Sequence, residues 1–91
     1  MEATIIVPQH VLAMVPDSTS ADWHQHENGG GWVHHTAVVD PSAYIAPTAI
    51  ISSYARIGRG AEIGRGARIG ADAKIGADAW IGEGTWIGEG A

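Results

Sequence analysis

An aliphatic residue returns at every sixth position of this chain, from residue 33 to residue 87, without interruption. The column reads Val33, Val39, Ile45, Ile51, Ile57, Ile63, Ile69, Ile75, Ile81 and Ile87. An α-helix cannot keep a strict six-residue repeat on one face, and a simple alternating strand has no reason to pause every sixth residue. The repeat therefore predicts a short strand, then a corner, then another short strand.

A second column of small residues follows the aliphatic column by four positions. Its members are Ala37, Ala43, Ala49, Ala55, Ala61, Ala67, Ala73, Ala79, Thr85 and Ala91. From Gly58 onward glycine stands one residue after the aliphatic column, and glycine or aspartate stands three residues after it. Glycine and aspartate tolerate a positive φ better than most residue types. Each hexad thus carries its own turn.

The early corners have a different composition. Pro41 and Pro47 precede the turn position, where the φ that proline sets suits the second residue of a type II turn. Ser42, Thr48 and Tyr54 occupy the position itself and suit a positive φ less well than glycine. We therefore expect the early corners to be less regular than the later ones.

The hexads resemble the motif of the bacterial hexapeptide-repeat superfamily, which includes transferase-like proteins with a left-handed β-helix. Segments such as IGRGAE (residues 57–62), IGADAK (69–74) and IGEGTW (81–86) carry the resemblance, which covers residues 33–91. It implies an all-β, left-handed parallel β-helix of about three coils, with three hexads per coil and commonly a trimeric assembly. Residues eighteen apart would then stack, placing Glu62 between Tyr44 and Trp80.

Residues 1–32 are predicted to form an N-terminal cap or oligomerisation segment, and residues 33–91 the β-helix. The apolar runs at 3–7 and 11–15 predict a short β-hairpin or an added strand, followed by a polar loop. Trp23 and Trp32 are predicted to pack on the first coil and are candidate interface residues. A solenoid needs such a cover because its end exposes strand edges and an apolar cross-section.

Trp80 and Trp86 occupy outward positions on adjacent faces near residue 91, where small polar residues would suffice. Large aromatic residues are enriched at contact hot spots, so we expect a subunit or ligand interface there. Isolated exposed aromatic residues are the alternative interpretation. The repeat reaches Ala91 without a capping segment. We therefore expect either a piece of a longer array or subunits stacked through the open C-terminal coil.

Two groups of histidines raise the question of chemistry. His24 and His26 alternate on a segment that, if extended, would point both rings to one side. In a trimer three such pairs could bind a divalent metal, an arrangement similar to the tips of some phage tail spikes. The alternative is a solvated loop running into the glycines at 29–31.

His34 and His35 are the alternative catalytic or metal residues. The acyltransferases of the resembled superfamily use a histidine base beside a groove for acyl-CoA or acyl carrier protein, and its carbonic-anhydrase-like members bind zinc through histidines. No histidine follows residue 35 in this chain, so only this pair could take either role. Otherwise the two are corner residues at the cap junction.

Composition narrows the functional classes. The net charge of -5 and the few basic residues, all within 33–91, do not favour nucleic-acid binding. No apolar run is long enough for a membrane span, and no export signal precedes the repeats. The leading hypothesis is a non-catalytic homotrimeric structural, assembly or partner-binding module without a cofactor, from a phage or bacterium. It would be cytoplasmic or part of a virion or cell-surface assembly. The alternative is an acyltransferase or metal-dependent hexapeptide-repeat enzyme, or a fragment of one.

Overall fold

A computed structural model of the chain describes residues 6–91. The elements in chain order are a short helix α1 (Gln9–Leu12), a 3₁₀ turn (Ser20–Asp22) and eleven short strands. The strands are β1 (Trp23–Gln25), β2 (Trp32–His34), β3 (Val38–Val39), β4 (Tyr44–Ile45), β5 (Ile50–Ile51), β6 (Arg56–Ile57), β7 (Glu62–Ile63), β8 (Arg68–Ile69), β9 (Lys74–Ile75), β10 (Trp80–Ile81) and β11 (Trp86–Ile87).

The strands form three sheets that are the faces of a β-solenoid of about three turns, and every strand pair is parallel except β1 with β2. Face A has the order β1-β2-β5-β8-β11, face B the order β3-β6-β9, and face C the order β10-β7-β4. Every parallel pair joins residues eighteen apart, for example Ile45 with Ile63 and Ile63 with Ile81. The predicted all-β class and the three-hexad coil are confirmed.

The aliphatic column fills the interior. Ile45, Ile51, Ile63 and Ile69 are fully buried, and the alanines at 43, 49, 55, 61, 67 and 73 pack beside them at the corners. Burial of one such aliphatic side chain contributes about 1.5–3 kcal/mol before the loss of entropy. The regular interior therefore accounts for the stability of the coils.

The backbone conformation of the corners differs between the first coil and the later coils. The predicted type II turns at Pro41 and Pro47 are wrong, because Ser42 and Thr48 do not adopt a positive φ. Their hydroxyls instead accept hydrogen bonds from the backbone N–H of Gly60 and Gly66, one coil below. From the second coil onward the turn residues do take a positive φ. Tyr54, a costly residue for that region, has a φ of 59°.

The N-terminal segment differs from its prediction. Residues 3–5 of the strand predicted at 3–7 lie outside the described residues, and Val11 belongs to α1 rather than to a strand. Pro8 is the N-cap of this helical turn, and Val7 before it and Val11 within it are both buried in one apolar cluster. No helix within residues 6–91 is long and apolar enough to cross a bilayer.

A hairpin forms instead from the segment predicted as a loop. Strand β1 pairs antiparallel with β2 and extends face A by one strand. The tryptophans at 23 and 32 pack with Val7, Val11 and Ile50 in a second apolar cluster, which confirms their predicted packing on the first coil. Residues 7–15 thus cover the outer side of face A at its first two coils.

The loop between β1 and β2 closes the top of face C. Ile45 donates its N–H to the carbonyl of Asn28 and accepts from the N–H of Gly31. Two glycines permit this approach: a Cβ on Gly29 would lie 2.1 Å from the carbonyl oxygen of Ile45, and one on Gly31 would lie 2.2 Å from its Cγ2. The glycine run is therefore a backbone cap and not only a solvated loop.

Candidate functional site

The His34 side chain lies at the junction of cap and solenoid, at the end of β2. It is 6% exposed, and the ring of Trp23 meets it edge-on with centroids 5.1 Å apart. Its Nδ1 accepts the N–H of Thr36 at 3.3 Å and lies 2.7 Å from the Thr36 hydroxyl. Since Nδ1 is an acceptor, the proton of the neutral ring is on Nε2.

His35 and Asp22 lie beside this ring. The His35 backbone N–H donates to the Asp22 carbonyl oxygen, and its Nε2 lies 3.7 Å from a carboxylate oxygen of Asp22. The rings of His34 and His35 have centroids 4.7 Å apart. We call Asp22, His34, His35 and Thr36 the histidine corner. The structure thus places beside the two histidines that the sequence singled out the neighbouring Thr36 and, from a distant position in the chain, Asp22.

Burial and local hydrogen bonds set the charges of this corner. Burial lowers the pKa of His34, the neighbouring His35 lowers it further, and Asp22 acts in the opposite direction. The backbone N–H of Thr19 lowers the pKa of Asp22, with smaller contributions from the two histidines. At neutral pH the corner therefore holds a neutral His34 beside a carboxylate.

A depression of about 470 Å³ opens at the histidine corner. Its lining comprises Val15, Asp17, Ser18, Asp22, His34, His35, Thr36, Ser53 and Tyr54. A hydroxyl within reach of an imidazole nitrogen is the geometry of a nucleophile and its base. The Thr36 hydroxyl, however, also accepts the N–H of Tyr54 at 3.0 Å, the same corner contact that Ser42 and Thr48 make. The winding of the chain alone thus accounts for the position of Thr36.

His24 and His26 have unlike surroundings. His24 is exposed on β1, and its pKa is lowered by partial burial and by the neighbouring His26 and His35. His26 is 8% exposed, and its Nε2 lies 2.9 Å from the carbonyl oxygen of Ala43, to which it must donate. Within residues 6–91 of one chain no cluster of three or more potential ligands forms a metal site. Metal binding by these histidines in a trimer stays a prediction.

The four tryptophans fall into two classes. Trp23 and Trp32 are buried between cap and face A. Trp80 and Trp86, by contrast, are 80% and 70% exposed. On face C the exposed side chains follow the predicted order, with Glu62 directly between Tyr44 and Trp80. The exposed aromatic side chains therefore lie on face C, at the lower end of face A and, with Tyr54, at the corner between faces A and B.

Face B carries a cationic column that the sequence analysis did not single out. Arg56 and Lys74 lie directly opposite each other on neighbouring strands, below the exposed Val38. Like charges in that position repel. Neither cation has a salt bridge among the described residues. The eighteen-residue spacing of the two cations was the signal that could have found the column.

A groove of about 590 Å³ runs along face B, lined by Thr36, Val38, Tyr54, Arg56, Asp72, Lys74 and Gly90. It is continuous with the histidine corner, because Thr36 and Tyr54 line both depressions. The corner between faces A and B therefore joins the imidazoles to the cationic column. No protein-family model, no curated protein and no solved structure matches the chain.

Proposed function

We propose that this protein is a non-catalytic, homotrimeric β-solenoid that serves as a structural, assembly or partner-binding module. Its winding would be the left-handed one of the hexapeptide-repeat superfamily, which its hexads resemble. The observation that carries the proposal is the exposure of Trp80 and Tyr44 on one flat face, with Glu62 between them.

The interior argues for a scaffold. Isoleucines and alanines fill the interior of the three coils. The outer side chains lie on strands that are paired in register around this interior. Tryptophan and tyrosine supply much of the energy of protein contacts. A rigid face that exposes two aromatic side chains is thus suited to contact another protein surface.

Measurement of the mass in solution tests this proposal. We expect the purified protein to have about three times its chain mass of 9.5 kDa by light scattering at micromolar concentration. Trp80→Ser should lower that mass. Trp86→Ser is the matched comparison and should lower it less, because the Trp86 ring already packs against Arg68 of its own chain. A monomer at every concentration would overturn the proposal of a trimer.

The histidine corner supports a second candidate function, an acyltransferase or metal-dependent enzyme of the same superfamily. The supporting observation is the pair of imidazoles beside Asp22 at the mouth of a depression. Acetyl-CoA turnover by the wild type that is lost in His34→Gln and His35→Gln would favour the enzyme. Turnover at the uncatalysed rate in all three proteins, together with no zinc retained after purification, would leave the scaffold proposal in place.

A further inference from the structure

We propose that the groove along face B binds a small organic anion with a flat ring, whose anionic group contacts Arg56 and Lys74 and whose ring packs on Tyr54. The proposal goes beyond a scaffold role and does not depend on self-association, because all three residues belong to one chain. Three observations carry it: two neighbouring cations without a salt bridge among the described residues, an exposed aromatic side chain at a strained corner, and a groove that joins them.

The two cations of face B are arranged as a site for an anion. Arg56 and Lys74 are paired in the register of neighbouring strands, so their side chains leave the surface about one strand spacing apart, roughly 4.8 Å. Both are exposed, and neither forms a salt bridge with any carboxylate of residues 6–91. On face A, by contrast, Arg68 lies over an aromatic ring of its own chain. An anion between Arg56 and Lys74 would relieve their mutual repulsion and accept hydrogen bonds from both.

Tyr54 is an unexpected residue for the corner that it occupies. Its φ of 59° lies in the left-handed region, and the same corner position carries Asp72 and Gly90 in the next two coils. Those residue types tolerate this region better than tyrosine does. The side chain is 64% exposed, and no other aromatic ring or cation of the described chain stacks on it. Neither the turn nor the packing of the chain therefore accounts for a tyrosine here, and strained residues of this kind are concentrated at ligand-binding and catalytic sites.

The groove brings the aromatic side chain and the cations together. Its volume of about 590 Å³ suits a small molecule rather than a single inorganic ion, and its lining includes Tyr54, Arg56 and Lys74. Tyr54 and Arg56 are two residues apart on one coil, so one small molecule can reach both. Asp72 also lines the groove, one coil below Tyr54, and its carboxylate would repel an anion. The groove thus offers one contact for a ring, two for an anion and one unfavourable carboxylate, and each of these can be tested by substitution.

Calorimetric titration with phenyl phosphate and inorganic phosphate tests the proposal. We expect phenyl phosphate to bind about threefold to tenfold more tightly than inorganic phosphate, because only phenyl phosphate has a ring to pack on Tyr54. Arg56→Gln and Lys74→Gln should each weaken the binding of phenyl phosphate by about threefold to tenfold, a modest loss because both contacts are exposed to water. Asp72→Asn should strengthen it, because it removes the repelling carboxylate and asparagine tolerates the same φ. Arg65→Gln removes a cation that does not line the groove, so it is the matched control and should leave the affinity unchanged.

Two variants of Tyr54 separate the ring from the fold. Tyr54→Asn should bind phenyl phosphate no better than inorganic phosphate, and thermal melting should show equal or greater stability because asparagine suits a positive φ. Tyr54→Phe keeps the ring and should bind phenyl phosphate as the wild type does. The proposal is overturned if folded wild type does not bind phenyl phosphate at millimolar concentration, binds the two phosphates equally, or binds no better than Arg56→Gln and Lys74→Gln. The mass in solution tests the proposed assembly separately, so either proposal can fail without the other.

Discussion

The guanidinium carbon of Arg68 lies 4.6 Å from the centroid of the Trp86 ring, one coil above it on face A. A cation over a tryptophan ring at an exposed site contributes about 0.5–1 kcal/mol. The exposed Trp86 ring is therefore held against an arginine of the same chain. Trp80, which lies below Glu62 on face C, has no cation above it.

Replacement of Arg68 should therefore cost stability. We expect Arg68→Ala to lower the free energy of unfolding by about 0.5–1 kcal/mol, measured by urea denaturation. Arg65→Ala removes an exposed arginine of the same charge from a neighbouring corner and should have little effect. An equal loss in both variants would mean that net charge, and not the ring contact, sets the difference.

Gly64 and Gly82 occupy the same corner one coil apart and should respond differently to alanine. A Cβ on Gly64 would lie 2.8 Å from the backbone nitrogen of Glu83, which cannot move without disturbing the next coil. We expect Gly64→Ala to destabilise the protein by about 1–3 kcal/mol. A Cβ on Gly82 meets only the Thr85 hydroxyl at 3.8 Å, so Gly82→Ala should be neutral or gain about 0.4–1 kcal/mol. Thermal melting of the two variants compares them directly, and similar losses would contradict the close stacking of the coils.

Ser52 is 1% exposed, and its hydroxyl has no hydrogen-bond partner in the described part of the chain. A buried polar group without a partner costs about 1–3 kcal/mol, and the corresponding position one hexad earlier is Ala46. Ser52→Ala should therefore raise the free energy of unfolding by about 1 kcal/mol or more. Ser53→Ala, at the half-buried neighbouring position, serves as the control. A loss of stability in Ser52→Ala would show that this hydroxyl has a stabilising contact after all.

Stability should fall as the pH drops below about 6.5. In the folded chain the pKa values of His34 and His24 are lowered from 6.5, chiefly by burial. The unfolded chain therefore binds more protons in the window between 6.5 and the lowered values, and folding becomes less favourable there. Above pH 6.5 the two histidines are neutral in both the folded and the unfolded chain, so they no longer change the stability with pH.

Unfolding by urea at pH 7.5 and pH 5.5 measures this dependence. His34→Gln should reduce the difference between the two pH values, because it removes one of the two groups. Gln9→Ala replaces an exposed residue of α1 that does not titrate, so it is the control and should leave the difference unchanged. A difference that is the same in His34→Gln as in wild type would contradict the contribution of His34.

The six-residue repeat by itself determined the class of fold, the length of a coil and the stacking of residues eighteen apart. The physical reason is that the same local unit, an inward aliphatic residue with a small corner residue, recurs ten times. Each unit needs only the unit one coil away to complete its hydrogen bonds, so local pattern and global fold agree. Glu62 between Tyr44 and Trp80 follows from this register alone.

The cap and the candidate sites were decided by the tertiary structure. Val7 and Val11 form their contacts with Trp32 and Ile50, which are far away in the chain, and no local repeat encodes that meeting. Asp22 reaches His35 only because the hairpin of β1 and β2 returns the chain to the first corner. The local repeat determines whether a side chain of a coil points inward, points outward or lies at a corner. A segment without repeats instead takes its conformation from the surface on which it packs.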